Sequence, residues 1–531
     1  MQTIQRSIFV CSFFIVTVFS GYAQIQKYWI SFDQKETVGY DYRNALSQQT
    51  IVNRTSLNIP LIQVTDIPVT QHYIAALSKL DVSIVAKSKW LNAVTAYLSQ
   101  EQVAQVQALN FVTSVEPVTV HLIAASTSMD VKPELMHTAL KQMKAKSFTK
   151  AGVDGTGLRI GVIDAGFYRL HEDAATRYLV DDKRVLGQRD FIDPTRKDLI
   201  TAAATSSDDH GRQVVRMIAG YDTTIKAQYG MAVNASFYLA RTENGDKEYR
   251  GEEDMWIMAM EWMDSLGVRL ISTSLGYATK MDDPSDNYRQ SEMNGNTARI
   301  TKAAQIAFNQ KGIFLSVSAG NEGDTQWRII SAPADAEGAL SVGATNAVDW
   351  DRIYYSSIGP ENLPYLKPNV SCYSPNGTSF SCPAVAGFIA CLMNYDSTLT
   401  NAQLKEIIQK SAHLYPYGNN YLGYGVPQAD RALELTKDIN KDFGTTRLVH
   451  CSKKVYKEQL DKSLNLDLVL FNKKNETIVI TPGYNHKNNI VLFDQNTSKV
   501  KNGLIKIKRT KNAKRTTAVA DEFMTLEIVW E

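Results

Sequence analysis

Three residues have the chemical types from which nucleophilic catalysis is built, and each stands where the chain can hold it over a cleft. Asp164 ends the apolar run Leu158–Ile163 and is followed by Ala165-Gly166. A carboxylate just past a buried strand, with a glycine releasing the backbone, sits at a sheet edge, although an aspartate there is more often a structural cap. His210 lies in Asp208-Asp209-His210-Gly211, ahead of the apolar-periodic segment Val214–Gly220. A histidine at the mouth of a helix can hold its ring over a cleft, yet most histidines are surface or satisfied core residues. Ser379 lies in Asn376-Gly-Thr-Ser-Phe-Ser-Cys-Pro-Ala-Val-Ala-Gly387, just ahead of a densely small and apolar helix with Pro383 expected in its first turn. A serine there occupies the positive end of the helix dipole, with backbone N–H groups free to face a developing oxyanion. A serine that merely capped a helix would explain Ser379 and Pro383, but not Gly-Thr-Ser with all that follows.

The elements that must position these residues alternate in kind. From about Gly152 to Asp438, the runs Leu158–Ile163, Phe237–Ala240, Leu270–Ser274, Ile313–Val317 and Leu340–Gly343 read as buried strands. Helix-period stretches separate them: Gly211–Gly220, Glu252–Leu266 and Thr297–Gln310. This alternation predicts an α/β fold, a doubly wound, mostly parallel sheet covered on both faces. Such sheets bind ligands beyond the carboxyl ends of their strands, where Asp164 already falls.

Together these motifs resemble the subtilisin-like serine protease (subtilase) family. Gly377–Pro383 is similar to its nucleophile motif, Val162–Gly166 to its Asp motif and Asp209-His210-Gly211 to its His motif. The chain order Asp, His, Ser is that of subtilisin. Ser318-Ala319-Gly320-Asn321-Glu322-Gly323 resembles the oxyanion-hole segment, and Ser274-Leu275-Gly276 the strand lining the substrate cleft. Ala332-Pro333-Ala334, Ser341–Ala344 and Lys367–Val370 resemble framework positions. The resemblance implies a subtilisin-like serine endopeptidase. In it Ser379 is the nucleophile, His210 the general base and Asp164 the residue that orients the imidazole. Asn321 and the Ser379 N–H would hold the oxyanion, and Ser274, Leu275, Gly276, Ala319 and Gly320 would bind substrate. No metal or organic cofactor is implied as a reactant. Family members often bind calcium as a structural ion, but no acidic loop here names its ligands.

Two features depart from the family pattern. Arg212-Gln213 stands where Thr-His usually follows the catalytic His-Gly. A cation there would lower the pKa of His210 and extend base function to low pH, unless Arg212 turns away to a carboxylate such as Asp208 or Asp209. The stretch between Pro368 and Gly377 is also shortened, which would remodel the cleft and hides the cleavage specificity.

The remaining chain suggests a secreted zymogen. At 531 residues the protein is too long for one core, and its net charge of +2 gives no global reason to expect nucleic acid or membrane as partner. Residues 1–23 read as a signal peptide: Arg6, the apolar run Ile8–Phe19 and Gly21-Tyr22-Ala23. No later stretch is long and apolar enough for a transmembrane helix. The secreted or cell-surface protein would then begin near Gln24. Residues 25–120 read as a small α+β unit, with strands at Tyr28–Phe32, Trp90–Leu98 and Phe111–Pro117 and a capping box from Ser99 to Gln102. By position and size this unit resembles the family's inhibitory and folding-assisting propeptide. Residues 121–151 are expected to be a linker with the processing site and one short helix, 152–438 the catalytic domain, and 440–531 a β-rich C-terminal domain.

That last domain shows β-like runs at Leu466–Phe471, Thr477–Thr481, Ile490–Phe493, Leu504–Ile507 and Leu526–Trp530. Cys372, Cys382, Cys391 and Cys451 are too few for a disulfide framework, though Cys372 and Cys382 could pair. Expected partners are peptide or protein substrates and the chain's own propeptide. The competing readings are a pseudoprotease that keeps the fold as a binding protein, and an adhesion protein centred on residues 440–531.

Overall fold

In the computed structural model, the described residues are 25–37, 39–118, 133–244, 252–278, 287–480, 484–485, 490–491, 497–520 and 523–531. The segment read as a signal peptide lies outside them, as do residues 121–132 of the expected linker and Leu492 and Phe493 of the run Ile490–Phe493.

The central sheet has seven strands in the order Val370–Tyr373, Ala339–Thr345, Phe314–Ser318, Leu270–Thr273, Arg159–Asp164, Ser236–Arg241, Val185–Asp190. Every neighbouring pair is parallel. Because the strands run together, their carboxyl ends share one edge, and Asp164, Arg241 and Asp190 are register partners along it. The five strands read from sequence are present. Val185–Asp190 and Val370–Tyr373 are additional. The first is a half-exposed edge strand of mixed polarity, and the second is four residues long, so neither carries an apolar run.

Helices cover both faces. The helix Thr378–Tyr395 is buried from Thr378 to Met393 and lies in the core, surrounded by Phe148, Val214, Ile218 and Phe237. It approaches the strands Leu270–Thr273 and Phe314–Ser318 closely because it carries small residues there. The Ser316 hydroxyl donates to the Cys382 carbonyl at 3.0 Å. Helix His210–Ala219 packs beside it.

The stretch expected to be a linker with one helix holds two, Pro133–Gln142 and Lys146–Lys150. Met136, Ala139, Met143 and Phe148 sit in the main core, and the Gln142 side-chain carbonyl accepts from the Tyr373 N–H at 2.7 Å. Composition made this stretch look polar because its apolar residues occupy only one helical stripe.

The N-terminal unit is a four-stranded antiparallel sheet in the order Ile84–Ser88, Ala93–Leu98, Gln26–Phe32, Val112–Pro117. The Ser99–Gln102 capping box is formed. This unit sits on helices Glu252–Ser265 and Arg299–Ile306, where Trp29 and Trp90 join an apolar cluster with Trp256, Met260 and Met263. The C-terminal unit is β-rich, with a five-stranded sheet in the order Thr446–Cys451, Met524–Trp530, Arg515–Ala520, Leu466–Lys473, Thr497–Val500. Residues 477–480 form no strand, only a single bridge between Lys473 and Val479. The described cysteines are free and buried, so the possible Cys372–Cys382 bridge does not form.

Candidate active site

Asp164 and His210 come together from the end of a strand and the start of a helix. His210 Nδ1 lies 2.7 Å from Asp164 Oδ1, and the Ala165 N–H donates to the same oxygen at 2.8 Å. Two glycines allow this approach. The Gly211 N–H donates to the Gly166 carbonyl at 2.9 Å, and a Cβ on Gly211 would collide with that oxygen and with Phe167. Asp164 and His210 are 0% and 1% exposed, and His210 Nε2 has no hydrogen-bond partner among the described residues. Burial opposes the charged imidazolium, but the Asp164 carboxylate outweighs it with help from Asp209, so the His210 pKa lies above its ordinary value.

Arg212 does not act on His210 as its position in sequence suggested. Its guanidinium turns to Asp173 at 2.8 Å and Asp209 at 3.4 Å, and Arg216 also contacts Asp173. Turning away toward Asp209 is one of the two alternatives read from sequence. The low-pH base behaviour attached to the other is replaced by an upward shift.

Ser379 is the second residue of its helix, where the geometry leaves the backbone N–H without an intrahelical acceptor. Its hydroxyl lies 3.5 Å from the Ser274 carbonyl. Pro383 falls in the second turn rather than the first, so the Ser379 carbonyl loses the N–H it would accept from. The Ser274 hydroxyl replaces it, donating to that carbonyl at 2.9 Å. Ser274 therefore ties the end of the Leu270–Thr273 strand to the residue carrying the candidate nucleophile.

Asn321 is tied to the same helix. Its Oδ1 accepts from the Thr378 N–H at 2.7 Å and the Thr378 hydroxyl at 3.1 Å. Since a backbone N–H must donate, this fixes the amide orientation and leaves Nδ2 with its two donors. The segment before it is pinned as well: Ala319 donates to the Val342 carbonyl at 2.9 Å and Gly320 to the Thr378 hydroxyl at 3.1 Å. Leu275, Gly276, Ala319 and Gly320 are buried. A side chain on Gly276 would meet Ser331 Oγ, a buried hydroxyl with no partner among the described residues. Ser331 precedes the Ala332-Pro333-Ala334 segment and carries no local signal of its own in the sequence. Between Pro368 and Gly377, strand Val370–Tyr373 leads into a turn in which the Ser374 hydroxyl donates to the Gly377 carbonyl.

A parallel sheet that delivers a carboxylate-bound histidine and a serine at a helix start to one edge has the architecture of an α/β serine hydrolase. The chain belongs to the subtilase family, whose model matches residues 155–425, and is a subtilisin-like serine peptidase. Residues 27–132 match a model described as a peptidase S8 propeptide domain, Bacteroidota. Subtilisin NAT from Bacillus subtilis subsp. natto is 27% identical over 357 residues, covering 65% of this chain and 82% of that protein. Subtilisin from Bacillus pumilus is 27% identical over 305 residues, covering 56% and 98% respectively.

Proposed function

We propose that the protein is a secreted or cell-surface serine endopeptidase, made as a zymogen, with Ser379, His210 and Asp164 as its catalytic triad. The observation that carries this is the 2.7 Å bond between His210 Nδ1 and Asp164, which leaves Nε2 as the ring's remaining proton acceptor beside the Ser379 helix. In the acylation step Ser379 Oγ bonds to the scissile carbonyl carbon while its proton passes to His210 Nε2. The C–N bond then breaks and the amine leaves with that proton. Water repeats the sequence on the acyl-enzyme, returning the proton to Ser379. Asn321 Nδ2 and the Ser379 N–H hold the oxyanion. Ser274–Gly276 and Ala319–Gly320 form the walls of the substrate cleft, and the chemistry draws on no cofactor. The N-terminal unit acts as inhibitor and folding aid, and is cut away between residues 121 and 132, ahead of the helix Pro133–Gln142 that packs into the body's core.

Purified full-length protein should hydrolyse casein and shorten to a body beginning between those residues. The Ser379→Ala variant should stay uncut and inert. Casein hydrolysis by Ser379→Ala would overturn the assignment. A folded, propeptide-free wild-type protein without activity would make the chain a binding protein on the same fold.

A further inference from the structure

Arg241 ends the strand next to Asp164 and is 2% exposed. Its Nη1 donates to both Asp190 oxygens, at 3.3 and 3.0 Å. Its Nε donates to the Ala165 carbonyl at 2.9 Å and lies 3.7 Å from Asp208 Oδ1. Asp190 and Asp208 are each 1% exposed. Their second cation is Arg196, whose Nη2 is 2.9 Å from Asp208 and Nη1 3.6 Å from Asp190. Burying two carboxylates with two guanidinium groups is costly, and well-packed apolar side chains often stabilise a core as well. A planar guanidinium supplies what apolar packing lacks, a fixed direction for each donor.

Those directions lead to the reacting groups. Ala165 uses its N–H to orient Asp164 Oδ1, the oxygen bonded to His210, while its carbonyl is held by Arg241. Asp208 precedes His210 by two residues, and its own carbonyl accepts from the Tyr168 N–H at 2.7 Å. Arg241 thus touches both loops whose relative position sets the Asp164–His210 bond.

We propose that Arg241 is a positioning residue for peptide-bond hydrolysis: its fork with Asp190 holds the Asp164–Ala165 backbone against the Asp208–His210 loop and so fixes the imidazole. The proposal rests on the triad reading above and adds a residue that never touches substrate.

The test measures kcat and KM per active site, counted by fluorophosphonate titration, in the full-length protein after self-processing. Arg241→Lys keeps a charge facing Asp190 but lacks the Nε donor to Ala165. It should lose about 10- to 100-fold in kcat, the scale of a small misplacement of reacting groups, with KM within about twofold. Arg196→Met disturbs the same two carboxylates without touching Ala165. It should lower the melting temperature while keeping kcat per titrated site. Should Arg241→Lys fail to fold, Asp190→Asn leaves the guanidinium in place and weakens its fork, with a smaller kcat loss expected. Wild-type kcat per site in Arg241→Lys, or in Asp190→Asn where the first does not fold, would overturn the proposal. So would an equal kcat loss in Arg196→Met, which would mark a general structural effect. Failure of the triad reading is separable, since the wild type itself would then show no Ser379-dependent titration.

Discussion

Charges are buried in two regions, beneath the Asp164–His210 pair and along the seam between the N-terminal unit and the body, and the two regions differ in which pieces their pairs join. Beneath the site, Arg241, Arg196, Asp190 and Asp208 all belong to the body and would stay together through the proposed processing. Along the seam, the pairs cross. Lys27 meets Asp254 at 2.7 Å, and Arg54, paired within its own unit with Asp66 at 2.7 Å, reaches across to Asp264 at 3.1 Å. Lys311 meets Asp66 at 2.6 Å. Glu261 accepts from the Ser88 hydroxyl and from the Lys89 and Trp90 N–H groups at 2.6, 3.1 and 3.0 Å. In the proposed release of the N-terminal unit, the groups paired across the seam would regain water. Hydration therefore offsets much of what the seam's ion pairs gain, and they contribute register more than net adhesion. Adhesion comes from Trp29 and Trp90 in the shared apolar cluster, with Arg299 5.1 Å above the Trp29 ring. Beneath the site the Arg241 contacts hold the backbone of the Asp164–His210 pair, with Arg196 balancing charge, whereas the crossing charges align two pieces that the proposed processing would separate.

This contrast predicts that site variants change turnover and seam variants change release. The largest effect is expected for Ser379→Ala, with self-processing abolished and turnover down on the order of 10^6-fold, the size found for that loss in a subtilisin. Gel analysis and a peptide-hydrolysis assay would check it. Asn321→Ala should lower kcat by about 100- to 1,000-fold, again the family's own example, and KM much less. It should also lower the melting temperature, because Thr378 loses its acceptor.

Lys27→Met leaves Asp254 buried without its cation and should weaken the seam by about 3 to 5 kcal/mol. The readout is earlier separation of the cut propeptide on gel filtration, with unchanged kcat in the released body. A fall in that kcat would break the division between the two regions. A gentler effect concerns pH. In the proposed triad only neutral His210 could take the Ser379 proton, and Asp164 raises its pKa, so kcat/KM should fall on the acid side with a midpoint above 6.5. A midpoint below 6.5 would restore the influence of Arg212. The smallest effect is expected at the exposed Arg43–Asp41 pair, where Arg43→Ala should leave both release and melting temperature unchanged.

Much of this was legible in the sequence because the chemistry depends on short local patterns. Asp164, His210, Ser379 and Asn321 each sit in a contiguous motif, and the strands that deliver them are apolar runs. The supporting parts are assembled from distant segments and leave no such trace. Arg241 meets Asp190 51 residues away and Ala165 76 residues away. Arg212 could be placed near His210 by number but not by direction, because its partner Asp173 lies 39 residues earlier. One short helix was expected in residues 121–151, but the core packing of Pro133–Gln142 was hidden because its buried stripe is narrow, and strand Val185–Asp190 because an edge strand need not alternate cleanly. The 477–480 stretch was mistaken for a strand because β-rich composition does not distinguish a ladder from one bridge.

The central claim is that Ser379 is an activated nucleophile. Labelling the purified, processed protein with a fluorophosphonate probe, followed by mapping of the modified peptide, tests it most directly. One adduct on Ser379 is expected, absent from Ser379→Ala and strongly slowed in His210→Ala. Folded, propeptide-free protein that takes no label, or takes it on another residue, would contradict it.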